Sequence, residues 1–282
     1  MRRIRSNKAR PGKLAIAVAV AALAVAITGC SNPPPQRVFI DPGLAPLIPP
    51  DTTVLAGVRV DLLAKHPAFG MLAKQHAVQR FVEITGVDPE KSLWQVLFVS
   101  NGSGGLLLGR GKFANELMAP DVKRYGAAGG RFDYKGLSMV GSEQDAMLFI
   151  NSSTTAIGAA PALRALVDAM PHMHDVPERF APLLADIPLE SEVWGAYAGG
   201  PVDLDLPGNL VNLRKVFGLL QTGEFYANVD TRMHLTASGT SPTEERAQEL
   251  HDALQGLMAI AQIRGDVSRE GNRVSIKADV GF

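Results

Sequence analysis

Residues 48–58 read Ile-Pro-Pro-Asp-Thr-Thr-Val-Leu-Ala-Gly-Val, and residues 187–197 read Ile-Pro-Leu-Glu-Ser-Glu-Val-Trp-Gly-Ala-Tyr. Each segment runs from Ile-Pro through an acidic and a hydroxyl residue into a β-rich stretch in which small residues are interleaved. Proline and an acid favour a turn, and the stretch that follows favours a strand. Because recurrence at a fixed offset indicates an internal repeat, each segment is predicted to open one of two related units.

The elements predicted after each opening strand follow a similar order in the two halves. The first half is predicted to contain, in chain order, helix 67–84, strands 94–100 and 106–113, helix 114–125, a hairpin over 132–140, strand 147–150 and helix 155–170. The second half is predicted to contain helix 210–220, strands 225–229 and 233–238, a helix capped by Ser241, and a final hairpin in which Val274, Ile276, Ala278 and Val280 alternate.

Each half therefore follows a β-α-β-β-α-β order, which is the split βαβ pattern of ferredoxin-like folds. The first half has one additional strand and helix at its end. The predicted fold class is α+β, with two tandem βαββαβ units whose antiparallel-rich sheets are covered by helices. The predicted units are 51–175 and 176–282.

The N-terminus has the features of a signal peptide. Six basic residues and no acid occupy the first 13 positions, and an apolar run of 14 residues, 14–27, follows. A bilayer-spanning helix needs about 20 apolar residues, so this run is too short for a comfortable transmembrane anchor. A positively charged region followed by a short apolar region predicts an exported protein with a signal peptide over 1–29.

The last residues of this segment, Ile27-Thr28-Gly29-Cys30, resemble the lipobox of bacterial lipoproteins. The resemblance implies cleavage after Gly29, a diacylglycerol on the sulfur of Cys30, and a further acyl chain on the new amino group. Two or three acyl chains hold a protein stably at a membrane. Ser31, by its resemblance to lipoprotein sorting signals, favours the outer membrane in a host with two membranes. Cell-envelope localisation, facing the periplasm, is therefore expected.

The composition of the mature chain restricts its partners. Loss of the six basic residues leaves 22 Lys and Arg against 28 Asp and Glu, so the exported protein is acidic and a poor partner for nucleic acid. Cys30 is the only cysteine, so no disulfide forms within the chain. Residues 31–50 contain seven prolines, and the segment 30–50 is predicted to be an extended, semi-rigid tether.

One glycine motif is similar to a cofactor-binding fingerprint. The segment 109–114, Gly-Arg-Gly-Lys-Phe-Ala, fits G-x-G-x-x-A between a strand and a helix, and Asp133 lies about 20 residues further on. The second half carries Ser-Gly-Thr-Ser-Pro over 238–242 at the equivalent place. The motif is therefore interpreted as a strand-to-helix turn common to both units, and no cofactor is predicted.

Few residues suggest chemistry. His172 and His174 are weak candidates for metal ligands, since an extended segment could direct both at one ion, but no further ligand is evident and a polar interdomain linker is the preferred interpretation. Ser138 lies in Gly-x-Ser-x-x-Gly, one residue too long for a nucleophile elbow. No catalytic residue is predicted. The other histidines and a pair of acids are assigned to helices, strands and loops; they are His66, His76, His234, His251, Asp203 and Asp205.

The chain resembles uncharacterised bacterial lipoproteins built from α+β repeats, through its lipobox, the Ile-Pro-acid start of each half, and Leu-Pro-Gly-Asn-Leu over 206–210. This resemblance implies a duplicated fold and no known activity. The leading hypothesis is a non-enzymatic envelope protein that binds or scaffolds a partner protein or an envelope component. A metal-dependent or hydrolytic enzyme and a small-ligand or lipid carrier are the alternatives. A convergent polar cluster in a pocket would favour the enzyme, and a smooth apolar groove would favour binding.

Overall fold

The opening strands of the two predicted units pair with each other. In the computed structural model, β1 (Val54–Arg59) and β8 (Val193–Tyr197) are antiparallel neighbours, and Ala56 lies opposite Gly195. These two residues are also equivalent in the sequence repeat. The pairing is therefore symmetric about this point, as a local two-fold axis perpendicular to the sheet would make it.

The structure describes residues 38–281, without 68, 75–78, 80, 81, 84, 103, 174 and 203–215. The segment Arg37–Phe282 forms one compact unit. The predicted signal peptide, Cys30, His76, His174, Asp203, Asp205 and the segment 206–210 lie outside the described residues.

Twelve strands of the described chain form one sheet in the order β11-β12-β10-β9-β8-β1-β2-β3-β7-β6-β5-β4. The remaining strands are β2 Leu93–Ser100, β3 Gly105–Gly111, β4 Gly130–Tyr134, β5 Leu137–Gly141, β6 Ala146–Asn151, β7 Thr154–Gly158, β9 Thr222–Val229, β10 Met233–Thr240, β11 Arg264–Glu270 and β12 Arg273–Val280. The described α-helices are α1 Val60–Leu63, α2 Phe69–Leu72, α3 Pro89–Ser92, α4 Ala114–Met118, α5 Ala160–Ala169, α6 Ala181–Ala185 and α7 Glu244–Ile260. None of these helices is long and apolar enough to cross a bilayer.

The α+β class with an antiparallel sheet covered by helices is confirmed, but the predicted ferredoxin-like connectivity is not observed. A split βαβ unit places parallel strands in one sheet, whereas every pairing recorded among the described strands is antiparallel. Each half instead begins with a three-strand meander, β1-β2-β3 or β8-β9-β10. Both meanders continue outward from the β1–β8 pair, so the two halves share one sheet.

The sheet has helices on both faces. On the first face, α5 and α6 cover a continuous apolar core that includes Leu97, Leu108 and Trp194. On the second face, α7 covers a smaller cluster that includes Val267 and Val274. A separate cluster lies under α1 and α4, around Phe113. Side chains of one strand alternate between these faces, which assigns each strand residue to one of them.

The tether predicted for residues 30–50 does not extend to residue 50. From Val38 onward the chain packs on the first face, where Leu44 and Ile48 are 0% and 1% exposed. The buried Gln95 side chain holds this segment by accepting from the Asp41 amide at 2.7 Å and donating to the Phe39 carbonyl at 2.8 Å. Apolar residues between the prolines bury enough surface to fold the segment onto the sheet.

Two local predictions are also corrected. Residues 155–158, expected to begin a helix, belong to β7 between β3 and β6, and α5 begins at Ala160. The cap of α7 is Thr243 rather than Ser241, because the Thr243 hydroxyl accepts from the Arg246 amide at 3.3 Å. The other described strands agree with the predicted ones to within a few residues.

Candidate functional site

A cavity of about 370 Å³ lies on the second face of the sheet, between α7 and the strands of the second half. Its size is within the range of small-molecule sites, which is roughly 300–1,000 Å³. The lining is apolar and comes from five strands, α7 and the segment 216–220; it includes Val54, Ala56, Tyr197, Val216, Phe217, Leu220, Phe225, Leu235, Ala237, Leu250, Leu254, Val274 and Ile276.

Small residues form the floor of this cavity. Ala56, Gly195 and Ala237 lie in successive positions across β1, β8 and β10, with Phe225 of β9 between the last two. Two residues away from Phe225 and Ala237, on the same face, Gly223 of β9 pairs with Gly239 of β10. A strand glycine often marks close approach of another group. Here Leu220 lies so close above Gly239 that a Cβ atom would have no room.

The walls are held by contacts of their own. Tyr197 and Phe217 meet edge to face with ring centroids 5.4 Å apart, a favourable geometry for aromatic pairs. The Tyr197 hydroxyl donates to the Gly200 carbonyl, and burial raises the pKa of this phenol. On the opposite wall Leu250 of α7 is 1% exposed and Leu254 is half-buried. The aromatic pair and the helix therefore both border the open space.

The two-fold relation between the halves explains why the cavity lies in the second one. Through the pairings with β1 and β8, Phe98 of the first half corresponds to Phe225, and Gly109 corresponds to Gly239. Two further positions differ in size. Where the second half has Gly223 and Ala237, the first half has Val96 and Leu107. The larger side chains occupy these positions in the first half, whereas the smaller residues leave space in the second.

The site offers almost no hydrogen-bonding partners to a ligand. The floor is the middle of a sheet, where the backbone groups of β8, β9 and β10 are paired with neighbouring strands. Burying a polar ligand group here without a partner would cost free energy, whereas burying hydrocarbon is favourable. The geometry therefore fits an aliphatic chain.

A polar cluster lies on the other face of the same strands. Glu224 alternates with Phe225 along β9, and its carboxylate accepts from Arg273 at 2.8 Å and from the Ser238 hydroxyl. Burial raises the pKa of Glu224, opposed by the Ser238 hydrogen bond and the Arg273 charge, while Asp186 adds to the increase. The cluster bridges β9, β10 and β12 and is satisfied internally, so it is interpreted as structural.

The candidates from the sequence do not converge on a site. His172 is exposed in a short 3-10 helix, Met170–His172, and His174 lies outside the described residues. Among the described residues no group of three His, Cys, Asp or Glu side chains could hold a metal ion. Ser138 accepts a hydrogen bond from Arg131 Nε at 3.1 Å on the β4–β5 hairpin.

Three further histidines of the described residues each contact a carboxylate. His66 Nε2 lies 2.5 Å from Glu192 Oε1, at the end of the sheet where α1 meets β8. His234 is exposed between Asp279 and Asp230, and its hydrogen bonds to these two acids raise its pKa. His251 pairs with Asp252 on α7. These pairs connect neighbouring elements and do not face one common space.

The glycine motif over 109–114 is a packing feature, as interpreted from the sequence. Gly111 approaches the backbone of Ser92 so closely that a side chain would not fit, and the Lys112 amide donates to the Ser92 carbonyl at 2.7 Å. Gly109 packs against Thr155 and Phe113. The helix that follows, α4, has five residues and begins without a side-chain cap.

The cavity was not predicted from the sequence. The signal was present as glycine and alanine at alternate positions of the second-half strands, since Gly in a strand often marks a place where another group approaches the backbone. Whether α7, a ligand or another strand fills such space depends on the distance between elements, which the pattern does not contain.

Comparison with known proteins supports the fold and nothing finer. No family model matches the chain, and no curated protein matches it. Solved structures of TP0453 are similar: crystal form III has a TM-score of 0.54 at 12% identity and crystal form I has 0.51 at 14%. The matches cover 86% of this chain and 94% and 92% of those chains. At such low identity the similarity shows a shared fold alone.

Proposed function

We propose that this protein is a membrane-anchored, non-enzymatic lipoprotein of the cell envelope that binds the hydrocarbon part of an amphiphile, such as a fatty acyl chain. The cavity over the second-half strands is the observation that supports this proposal. Its apolar lining and paired backbone are suited to aliphatic chains, and its volume is in the range of ligand sites. Among the functions considered from the sequence, the lipid carrier therefore has the best support.

The lining of the cavity also favours this proposal over an enzyme and over a protein that binds a peptide at this site. An enzyme needs convergent polar or titratable groups beside its substrate, whereas this lining is mainly aliphatic and aromatic. The side chains of Glu224 and Ser238, which also border the cavity, bond to each other on the other face of the sheet. A peptide that adds to a sheet needs an exposed strand edge, whereas β8, β9 and β10 are paired on both sides. An apolar helix of a partner protein would compete with the acyl chain, and the binding experiment distinguishes the two.

The anchor is the second part of the proposal. The lipobox-like residues 27–30 place an acylated Cys30 directly before the folded unit, and an acylated protein lies at a source of amphiphiles. Replacement of Cys30 by Ala should release the protein from the membrane fraction and abolish incorporation of radioactive palmitate. Membrane association of the Cys30→Ala protein at the original level would contradict this part.

The tandem arrangement is a third part, in which the two halves derive from one duplicated unit. The sequence repeat and the symmetric pairing about Ala56 and Gly195 support it. The equivalence of Phe98 with Phe225 and of Gly109 with Gly239 extends that symmetry to the neighbouring strands. In this proposal one copy retains a filled core and the other carries the ligand site.

The binding experiment uses the first half as a guide. Ala237→Leu introduces the side chain that Leu107 provides at the equivalent position, so it should fill part of the cavity with little change in the sheet. We expect delipidated protein to bind a fluorescent fatty acid, and Ala237→Leu to weaken binding about tenfold, as loss of contact with one or two methylene groups would.

Ala259→Leu is the matched control, because it adds the same atoms on the exposed side of α7, outside the cavity. Its affinity should equal that of the unchanged protein. Failure of the unchanged, delipidated protein to bind any fatty acid would refute the proposed function. Equal affinity of the Ala237→Leu protein would place the binding elsewhere on the molecule.

A further inference from the structure

Phe225 is the one large ring among the residues of one cross-strand row that line the cavity. The row runs Phe98, Ala56, Gly195, Phe225, Ala237 and Ile276, with one residue from each of six neighbouring strands. On the second-half side of the β1–β8 pair, small residues flank this ring in both directions. Although Phe225 lies on the second face of the sheet, which α7 covers, its side chain is 37% exposed.

The ring of Phe225 leans over Gly195. A Cβ atom at Gly195 would lie 2.8 Å from Phe225 Cζ and 3.1 Å from its Cδ1, closer than side-chain contacts allow. The symmetry-related ring of Phe98 leans away from the β1–β8 pair, over Gly105, where a Cβ atom would lie 2.8 Å from Phe98 Cζ. The two rings therefore occupy different places relative to the two-fold axis.

This position divides the cavity. Ala237 and Ile276 line it on one side of the Phe225 ring, and Ala56 and Val54 line it on the other. A chain that enters from the α7 side meets the ring before it reaches Ala56. We infer that Phe225 determines the length of the hydrocarbon chain that the cavity accepts, by narrowing the cavity between Ala237 and Ala56.

This inference rests on the proposed function and adds a specificity-determining residue to it. Removal of the ring would widen the passage from the rest of the cavity to the space above Gly195 and Ala56, so a longer chain would be buried. Because the ring already borders open space, its loss extends an existing cavity rather than creating an isolated one. A Cβ atom at Gly195 would have the opposite effect, because it would push the ring outward into the space used by the ligand.

The experiment measures affinity for saturated fatty acids of increasing length, by displacement of a fluorescent fatty acid from the delipidated protein. Affinity should rise about fourfold with each added methylene, as about 0.8 kcal/mol per buried methylene gives, until the chain fills the site. Beyond that length it should level off. In Phe225→Ala the levelling-off should move to longer chains, and in Gly195→Ala to shorter ones.

Phe98→Ala is the matched control, since it removes an equivalent ring that does not line the cavity. Its length profile should match that of the unchanged protein. Phe225→Leu should move the levelling-off to longer chains by a smaller amount, and it replaces Phe225→Ala in the experiment if the alanine protein unfolds. A Phe225 variant that binds but levels off at the original length would overturn this inference alone. Absence of binding at every length in the unchanged protein would overturn the proposed function and this inference together.

Discussion

At the scale of single residues, the contact between the two halves depends on a tryptophan that packs against a glycine. Trp194 is fully buried on the first face of the sheet, and its indole ring covers Gly57 of the neighbouring strand β1. A Cβ atom at Gly57 would lie within 2.6 Å of Trp194 Nε1. Gly57 therefore contributes to stability through the ring that it allows to pack.

We predict that Gly57→Ala destabilises the protein by about 1–3 kcal/mol, the usual cost of overpacking a core, because the buried indole cannot move away. Gly70→Ala is the control: Gly70 lies in α2 with open space around its Cα, and alanine favours helices. Urea unfolding of both proteins measures the difference. Equal stability of the Gly57→Ala and unchanged proteins would show that the ring has room to shift.

The sequence indicated small residues interleaved in both opening strands, but not the reason for them. Gly57 permits the packing of Trp194, whereas Gly195 permits the approach of Phe225, on opposite faces of the sheet. Alternation along a strand assigns residues to two faces, yet it does not state which face receives a large neighbour. That neighbour comes from a strand distant in sequence.

At the scale of elements, the segment after the predicted lipid anchor belongs to the folded core. Residues 38–48 bury four apolar side chains. The side chain of Gln95, which is 1% exposed, forms hydrogen bonds with the backbone of Phe39 and of Asp41 in this segment. Arg110 pairs with Asp41 at 3.1 Å on the same face. The proline content of this region predicted an extended spacer, because proline alone does not show where the intervening Leu and Ile residues are buried.

We predict that a chain beginning at Arg37 folds and that a chain beginning at Thr52 does not. The shorter chain exposes the surface covered by Leu44, Leu47 and Ile48 and leaves the buried amide of Gln95 without partners, a cost of about 1–3 kcal/mol in addition to the lost apolar burial. Circular dichroism and urea unfolding of the two chains provide the measurement. A shorter chain of unchanged stability would contradict the structural role of residues 38–51.

Local patterns predicted most strands and the helix α7, and they failed where pairing decides the conformation. The residues Thr154–Gly158 contain Thr, Ala and Ile, which occur in strands and helices alike. Their partners are Leu107–Arg110 of β3 and residues 146–151 of β6. Hydrogen bonds to these two strands fix β7, and no window of neighbouring residues contains both partners.

At the scale of the whole molecule, one sheet passes through both halves. The β1–β8 pair lies at its centre, and the core of the first face includes residues from both halves, such as Leu97 and Trp194. Separate chains for 51–175 and 176–282 would each expose a central strand and part of this core. Open strand edges and apolar surface of this kind favour aggregation.

We predict that the halves unfold in one cooperative transition. The chain contains two tryptophans, Trp94 in the first half and Trp194 in the second, so Trp94→Phe and Trp194→Phe each leave a fluorescent reporter in one half. The urea midpoint from each reporter should coincide with that from circular dichroism of the same protein, as two-state unfolding requires. Separate midpoints in either protein would show that the halves are independent domains.

The sequence by itself predicts the export signal, the acylation of Cys30 and an acidic mature chain, and it indicated the repeat and the α+β class, because each of these is expressed in local pattern, charge or composition. Only the tertiary structure decided that the halves form a single sheet, that residues 38–48 belong to its core, and that a cavity opens above Gly223 and Ala237. Strand pairing and empty space arise from distances between residues far apart in the chain. A repeat indicates two similar units, but it does not show that Gly223 and Ala237 line a cavity in the second half where Val96 and Leu107 stand in the first.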